Sequence, residues 1–509
     1  MKLAGIFSNG MILQRERPCT IWGQADPQEK IRVILEEKEY EAIVEDSRFK
    51  ITLPPHEACT GLRLTIEGNS SVTLEDVCFG DVFFLTGQSN MELPVYRTMD
   101  VSKEEIEASD YPYIRQYRVT PQFQMDKNIV ADLPDLPWTK AVPGEVNEMS
   151  ALGFFSAKRI YDQIQVPIGL VLSAQGGSNI EAWMPEELLE EFGDFSHFYK
   201  MFEGEDALPK YLKQCEEKNA KWREDLVRPE DEQMPRSIPS GASDFEVPGM
   251  LLEQNGNGFT GIIWFYKEIE LQEEPSEDAF LYVGNLIDAD QTFVNGVPVG
   301  RTEYRYPPRK YPFDGKILRK GKNLICVRLL IEGGNGGFVA AHPYYLRSGE
   351  EQVSLEGTWK MLLAQTPDRP LEPGVRGQNV PTALFKTSVR PLADFAFRGI
   401  WWYQGESNSD EPARYNEKFN AMIACWRKLL NQELPLICVE MPDYTDPVFG
   451  VPEGWASIQE QQRAAAKEVP DCAVVSGKDL GAPLELHPQR KSELGARLAT
   501  TALQLYYKM

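Results

Sequence analysis

The sequence predicts an α/β protein that begins with a β domain and whose α/β domain is interrupted by a second β block. The chain has 509 residues, which is too long for a single hydrophobic core. Strand and helix patterns alternate in two separate stretches, whereas two other stretches contain strand patterns alone. The predicted domains are an N-terminal small β-sandwich at 1–78, the α/β domain at 79–245 and 370–509, and an inserted jelly-roll sandwich at 246–369.

The first domain consists of short strands, such as 31–35 and 62–66, bounded by glycine, proline and asparagine. The pattern changes at 81–86, a continuous apolar run that is typical of a strand buried on both faces. Apolar residues then recur at helical spacing over 150–165, and 166–173 is a second buried strand. This strand–helix–strand order predicts a parallel sheet.

The region from 246 to 369 shows strand and turn patterns without a helical period, which predicts a jelly-roll-like sandwich. After residue 370, strands and helices alternate again. The predicted strands are 397–403, 435–440 and 472–476, and the predicted helices are 415–430, 458–469 and 491–507. The β block is therefore expected to interrupt the α/β domain.

The composition excludes several classes of function. Lysine and arginine number 53 against 77 aspartates and glutamates, so the net charge of −24 disfavours nucleic acid and anionic membranes as partners. No apolar run approaches the roughly 18 residues of a membrane span. The 8 cysteines are scattered without a Cys-x-x-Cys pattern, which is typical of reduced thiols and predicts a cytoplasmic protein. The 4 histidines are too few to favour a multi-histidine metal site.

Polar segments follow the predicted strands of the α/β domain. Ser89 follows the strand 81–86 and Gly87, and it is either a nucleophile at the sheet edge or an N-cap residue. Gly176 and Gly177 follow the next buried strand. Paired glycines let backbone N–H groups approach a ligand closely, as an oxyanion site requires, but they are also typical of a structural turn.

Two further segments supply polar side chains. Gln404 and Glu406 follow a third strand, where an amide can donate to an oxyanion or simply form part of a polar turn. His487 follows the last strand, and a general base there needs an orienting carboxylate, either Glu485 or Asp479. A lone histidine is typical of a solvated loop. The four segments together nevertheless supply nucleophile, base, orienter and oxyanion donors.

The motifs at 87–92, 176–178, 402–408 and 486–488 resemble those of the sialate O-acetylesterase family, which belongs to the SGNH/GDSL hydrolases. The resemblance extends over nearly the whole chain, because 288–296 is similar to the galactose-binding-like jelly roll inserted in many members. It implies a three-layer α/β/α SGNH-hydrolase-like domain and a carboxylic ester hydrolase that needs no metal or organic cofactor.

The resemblance also implies roles for individual residues. Ser89 is the expected nucleophile and His487 the general base. The oxyanion hole is expected to use the N–H groups of Ser89 and Gly177 and the side chain of Gln404, with Asn408 as the alternative third donor.

The Asp-x-x-His pattern usual in the wider superfamily is absent, because Leu484 stands three residues before His487. Glu485 stands two residues before it, where the resemblance to the closer relatives implies an aspartate. Glu485 is therefore expected to be the third catalytic residue, with Asp479 as the second choice.

The expected substrate is a small acetylated carbohydrate, with O-acetylated sialic acid favoured by the resemblance. The expected substrate-binding residues are Asn90, Asn408, Arg301 and Arg305. The two arginines are included because an acidic sugar calls for local positive charge. Acetylated xylan or mannan is the alternative, for which the aromatic side chains of Trp183, Trp401 and Trp402 are candidates. A carbohydrate-binding protein without turnover is an alternative of another class, and the sequence does not predict an oligomeric state.

Overall fold

The computed structural model describes residues 1–126, 132–226, 236–482 and 484–509. The N-terminal strands are β1 Lys2–Leu3, β2 Ile12–Gln14, β3 Cys19–Gln24, β4 Ile31–Leu35, β5 Lys38–Glu45, β6 Arg48–Leu53, β7 Cys59–Glu67 and β8 Ser71–Gly87. The following elements are α1 Ser89–Glu92, α2 Met99–Glu107, β9 Tyr111–Arg118, β10 Thr139–Ala141, α3 Ala151–Ile164, β11 Ile168–Ala174, α4 Glu186–Leu189, α5 Ser196–Met201 and α6 Ala207–Leu226.

The second β-rich block contains β12 Ser243–Val247, β13 Gly249–Met250, α7 Leu251–Asn255, β14 Gly261–Leu271, β15 Asp278–Ile287, β16 Ala289–Val294, β17 Val297–Thr302, β18 Lys310–Asp314, β19 Gly321–Ile331, β20 Gly337–Ser348, β21 Glu351–Ser354 and β22 Gly357–Gln365. The last stretch contains β23 Gly399–Tyr403, α8 Tyr415–Leu430, β24 Leu436–Glu440, α9 Trp455–Glu468, β25 Cys472–Ser476 and α10 Lys491–Tyr507. Short 3₁₀ segments such as Ile180–Trp183 and Glu406–Asn408 lie in the connections.

A parallel sheet forms the centre of the molecule, in the order β9-β11-β8-β23-β24-β25. Strand β8 lies between β11 and β23, with Gly87 opposite both Ala174 and Tyr403. Since these strands are parallel, the loops after β8, β11 and β23 begin side by side at one edge. This is the edge where open α/β sheets bind ligands.

Helices cover both faces of this sheet. Phe83 and Leu85 of β8 share a core with Leu498 of α10, whereas Phe84 points to the other face and lies 5.9 Å from Trp426 of α8, measured between ring centroids. The alternation follows from the pleat, which sends successive side chains to opposite faces. A strand buried on both faces reads as the continuous apolar run seen at 81–86. The predicted α/β class is thus confirmed.

Strand β8 is 17 residues long and belongs to both the N-terminal region and the central sheet. Its first half pairs antiparallel with β7, and from Asp81 onward it pairs parallel with β11. The predicted domain limit at 78/79 therefore falls inside one continuous strand.

The second β-rich block contains a six-stranded sheet in the order β12-β22-β14-β19-β16-β17 and a five-stranded sheet built on β13-β20-β15-β18 with β21 beside β20. Phe265, Val327 and Trp359 from the first sheet share one core with Leu281 and Phe338 from the second. The sequence of this block predicts strands alone, whereas the structure also contains α7, whose five residues are too few to show a helical period.

Within the described ranges, no helix is both long enough and apolar enough to cross a membrane.

Candidate active site

Ser89 is the first residue of α1, two positions after the end of β8. Gly87 has φ +126°, and a Cβ there would lie 2.2 Å from the carbonyl oxygen of Tyr403, so this close approach requires glycine. Ser89 is half-buried, and its hydroxyl makes no hydrogen bond with any described residue. Because it caps no backbone N–H, the alternative N-cap role does not fit, and the hydroxyl is available for chemistry.

The glycine loop after β11 lies against Ser89. A Cβ placed on Gly176 would lie 3.5 Å from Cβ of Ser89. The Gly176 N–H donates to Oε2 of Glu92 at 2.8 Å, which ties this loop to α1. Gly177 has φ +71°, and neither its N–H nor that of Ser89 donates a hydrogen bond to a described residue. Two backbone N–H groups without a partner among the described residues therefore lie in α1 and in the loop packed against it, and an oxyanion hole requires such donors.

The loop that carries His487 is joined to the Ser89 segment through Asn90. The Asn90 Nδ2 donates to the carbonyl oxygen of Leu486 at 3.0 Å and to Oε1 of Glu406 at 2.6 Å. The Asn90 Oδ1 accepts a hydrogen bond from Nζ of Lys491 at 2.7 Å. The neighbours of Ser89 and His487 are thus hydrogen-bonded to each other, which places these two residues at the same edge of the sheet.

Burial controls the ionisation of this network. It lowers the pKa of His487 to about 3, and the positive charges of Arg97 and Lys491 act in the same direction. The imidazole is therefore neutral at physiological pH, and its buried Nε2 has no hydrogen-bond partner among the described residues. Burial also lowers the pKa of Lys491 to about 7 and raises the pKa of Glu406. Perturbed groups of this kind cluster at functional sites.

The predicted orienting carboxylates do not contact His487. Glu485 Oε2 lies 2.6 Å from Nε2 of His342, a residue of β20 in the second β-rich block. The exposed carboxylate of Asp479 pairs instead with Arg497 of α10. Both predictions for the third catalytic residue thus lack support in this geometry, because each carboxylate has a basic partner that the sequence pattern did not reveal.

The predicted third oxyanion donor is also engaged elsewhere. The Gln404 Nε2 donates to the carbonyl oxygen of Ser178 at 3.0 Å and to Oδ1 of Asn408 at 2.7 Å. Both amide hydrogens are thereby used, and Oε1 accepts from Tyr415. The Nδ2 of Asn408, the alternative donor, donates a hydrogen bond to Oε2 of Glu181 at 2.9 Å. Both amides brace the loops beneath the site, and the Gln404 amide has no hydrogen left for an oxyanion.

The predicted substrate-binding residues lie away from the Ser89 hydroxyl or are fully engaged. Asn90 is 0% exposed and uses its whole amide within the network described above, and Asn408 is 4% exposed. Arg301 pairs with Glu303 at 2.6 Å and lines a different cavity on the β block. Arg305 pairs with Asp288 at 2.8 Å. In this arrangement none of these three side chains faces the cleft of Ser89, and their sugar-binding role stays a prediction.

Arg305 is nearer to the site, since it lines a small cavity beside His487. The three tryptophans considered for stacking on a neutral sugar are 0% exposed, so they belong to the core: Trp183, Trp401 and Trp402.

Ser89 opens into a cleft of about 620 Å³ with charged and aromatic walls, of which Tyr96, Arg97 and Arg118 were not predicted from the sequence. Arg97 and Arg118 line it, and the Nε of Arg97 is buried without a partner among the described residues. Tyr96 and Tyr304, which are 46% and 54% exposed, present their rings at the same cleft. Tyr96 and Arg97 are neighbours in one short segment, whereas Arg118 and Tyr304 come from two others, so no local pattern joins the four residues.

Residues 79–203 and 378–504 match the model of a family described as carbohydrate esterase, sialic acid-specific acetylesterase. The chain is a sialate O-acetylesterase-like protein. The resemblance inferred from the motifs is thereby confirmed, and the interval between the two matched stretches contains the second β-rich block.

The curated relatives include the sialate O-acetylesterases of Mus musculus and Homo sapiens, each 29% identical over 38% of this chain. The chain spans about two fifths of the length of these relatives, since the matches cover 39% and 40% of them. Among solved structures, a carbohydrate acetylesterase from Xanthomonas citri is similar over 100% of this chain and 76% of its own, with 20% identity and a TM-score of 0.59. At this identity the likeness concerns the fold.

Proposed function

We propose that this protein is a serine esterase that removes O-acetyl groups from carbohydrates through an acetyl-enzyme on Ser89. The observation that carries the proposal is the unbonded Ser89 hydroxyl, which lies in an open cleft beside two free backbone donors. A neutral imidazole from His487 is held at the same edge by the contact between Asn90 and Leu486. The match to carbohydrate esterases supports the same reaction class.

In the proposed reaction, the imidazole of His487 takes the proton of Ser89 as its Oγ bonds to the carbonyl carbon of the acetyl ester. The N–H groups of Ser89 and Gly177 donate to the resulting oxyanion. The C–O bond to the sugar then breaks, and the imidazolium returns its proton to the sugar oxygen. A water molecule repeats the sequence on the acetyl-enzyme and yields acetate and free Ser89.

The proposal relies on a hydrogen bond between Ser89 and His487 that forms with substrate. The described residues provide no such bond in this structure, and catalytic hydrogen bonds often tighten when the substrate is bound. It also relies on a dyad, since no described carboxylate hydrogen-bonds to His487.

Within this proposal an acidic sugar, O-acetylated sialic acid, is the preferred substrate. Arg97 supplies an arginine without a carboxylate partner among the described residues to the cleft that contains Ser89, whereas Arg118 in the same cleft is paired with Glu92. Arginine is well suited to a carboxylate because its planar fork donates two hydrogen bonds. The exposed rings of Tyr96 and Tyr304 support the alternative of a neutral acetylated xylan or mannan, on which aromatic rings stack.

The direct test is the substitution Ser89→Ala, assayed by acetate release from p-nitrophenyl acetate. We expect activity to fall by about 10⁴-fold or more while the circular dichroism spectrum is unchanged. Full activity in this variant would refute the assignment of the nucleophile. A wild type that binds acetylated sugars but releases no acetate would favour the non-catalytic binding protein.

A second assay tests the substrate class with 9-O-acetylated sialic acid, acetylated xylan and acetylated mannan. Arg97→Ala should lower kcat/KM for the acidic sugar by about tenfold or more and leave p-nitrophenyl acetate nearly unaffected, since only the former carries a carboxylate. Arg301→Ala is the matched control, because this arginine lines another cavity. Equal losses on the charged and neutral substrates would remove the argument for sialate.

The same proposal assigns the central domain to the three-layer SGNH type and the inserted block to the galactose-binding-like jelly rolls. Helices on both faces of the parallel sheet and two sheets sharing one core support these assignments. The cytoplasmic location and the domain limits at 245/246 and 369/370 stay predictions.

A further inference from the structure

The loop that carries His487 is held on both sides of the histidine. Two residues before it, Glu485 Oε2 lies 2.6 Å from Nε2 of His342. Two residues after it, Nε2 of Gln489 donates to Oδ2 of Asp100 at 2.9 Å. These contacts bracket the proposed base symmetrically along the chain.

The two contacts belong to one network. The hydroxyl of Tyr282 lies 3.1 Å from Nδ1 of His342 and 3.3 Å from Oδ2 of Asp100. Lys310 forms an ion pair with the same aspartate. Since Tyr282, Lys310 and His342 lie on β15, β18 and β20, one sheet of the inserted sandwich supplies three members of this network.

The pair formed by His342 and Glu485 is well desolvated, because its side chains are 6% and 8% exposed. The ring N–H does not point straight at the carboxylate, so we treat the pair as a close polar contact rather than an aligned hydrogen bond. Removing either partner leaves the other buried without its counterpart, which costs more than the contact itself contributes. The contact is therefore a strong constraint on the loop.

This contact restrains a loop whose position the central sheet does not fix. The His487 loop follows β25, an edge strand that pairs with β24, whereas Ser89 follows a central strand. Tyr306 of the same sandwich also packs its ring against His487, with ring centroids 5.3 Å apart at 83°. The inserted sandwich thus contacts both the histidine and the residues that flank it.

We propose that His342 is a positioning residue for the esterase reaction. Through Glu485 it holds the imidazole of His487 within reach of Ser89, so the inserted sandwich is a working part of the active site. His342 itself touches no substrate. The inference rests on the proposed function. It makes Glu485 the contact partner of His342 rather than the carboxylate that orients His487.

The test compares His342→Ala, His342→Gln and wild type with p-nitrophenyl acetate, after titrating active sites with a fluorophosphonate. In His342→Ala we expect kcat per active site to fall about 10- to 100-fold with KM within about twofold, because a displaced base slows chemistry without changing binding. His342→Gln keeps a polar group that can make the same close contact with Glu485 and should recover most of the loss. A merely structural role would instead lower the number of active sites and leave kcat per site unchanged.

Two further variants make the result specific. His56→Ala removes a more exposed histidine–glutamate pair, with Glu36 at 3.0 Å, in the connections of the N-terminal region, and should keep wild-type kcat. Glu485→Gln combined with His342→Ala should be no slower than the slower single variant, since both act through one contact. An active wild type whose kcat survives His342→Ala within twofold would overturn this inference alone. An inactive wild type would overturn the proposed function and this inference with it.

Discussion

The two sides of the candidate active site are held in place by different means. Ser89 and Gly177 follow neighbouring strands, and backbone hydrogen bonds fix the register of β8 against β11 and β23. His487 follows the edge strand β25 and reaches the site through side-chain contacts made by Asn90 and Glu485. The nucleophile side is thus set by the sheet, whereas the base side depends on a few buried side chains from distant segments.

The difference has a consequence for the effect of substitutions. A sheet register involves many backbone hydrogen bonds, so a side-chain change beside Ser89 acts locally. The His487 loop depends on individual contacts, so loss of one of them shifts the base itself. On the base side, we therefore expect that substitutions remote from the reacting atoms also change the rate. On the nucleophile side, we expect a change in rate only from substitutions of residues in contact with the reacting groups.

The largest effect is expected from removing the base. His487→Gln should lower kcat/KM for p-nitrophenyl acetate by about 10⁴-fold, because glutamine cannot take the proton of Ser89. The double variant with Ser89→Ala should be no worse than either single variant, since the two residues act as a unit. A loss smaller than tenfold would show that another group accepts the proton.

The next effect tests the nucleophile side. Gly177→Ala should lower kcat by about 10²-fold, because a Cβ at φ +71° displaces the N–H that faces the oxyanion. Gly256→Ala is the matched control: it has φ +70°, a Cβ there meets open space, and it ends α7 in the inserted block. Both variants should lose similar thermal stability. If both also keep full kcat, Gly177 is not part of the oxyanion hole.

A smaller effect concerns pH. Because burial lowers the pKa of His487 to about 3, the imidazole stays neutral down to mildly acidic pH, and kcat/KM should be nearly constant between pH 5 and 6, below the pKa of about 7 of Lys491. The same shift makes the free energy of unfolding decline as pH falls from about 6.5 toward 3, since only the unfolded chain takes up the proton there. An acid limb of kcat/KM near pH 6.5 would contradict the buried, neutral base.

The smallest effect is expected at Asp479. Its carboxylate is exposed and paired with Arg497, which holds the pKa of Asp479 at about 2. Asp479→Asn should keep kcat within about twofold of wild type, because an exposed ion pair remote from the base contributes little. A tenfold fall measured with the same ester would restore the sequence-based alternative in which Asp479 orients His487.

The elements that form the site could be predicted from the sequence because their signals are local. The apolar run at 81–86 predicted the central part of β8, and the predictions 415–430, 472–476 and 491–507 coincide with α8, β25 and α10. A helical period or a buried apolar run is a property of consecutive residues. These predictions also placed the four polar segments after strands, where the structure has them.

The partners of individual side chains could not be predicted in this way. Glu485 is paired by His342, which lies in a different sheet, and the amide of Gln404 is turned away from the cleft by Ser178 and Asn408. Arg97 enters the cleft from a short 3₁₀ segment without a recognisable pattern. Such contacts depend on how distant segments pack, and spacing along the chain does not encode them.

The central claim is that Ser89 attacks an ester carbon whose oxygen is held by the N–H groups of Ser89 and Gly177. It is tested most directly by a crystal structure of the protein after reaction with paraoxon, which transfers a diethyl phosphate to an activated serine. The account predicts a covalent bond to Oγ of Ser89, with the phosphoryl oxygen about 3 Å from both nitrogens and His487 beside the adduct. A phosphorylated residue elsewhere, or an oxygen turned away from Gly177, would contradict it.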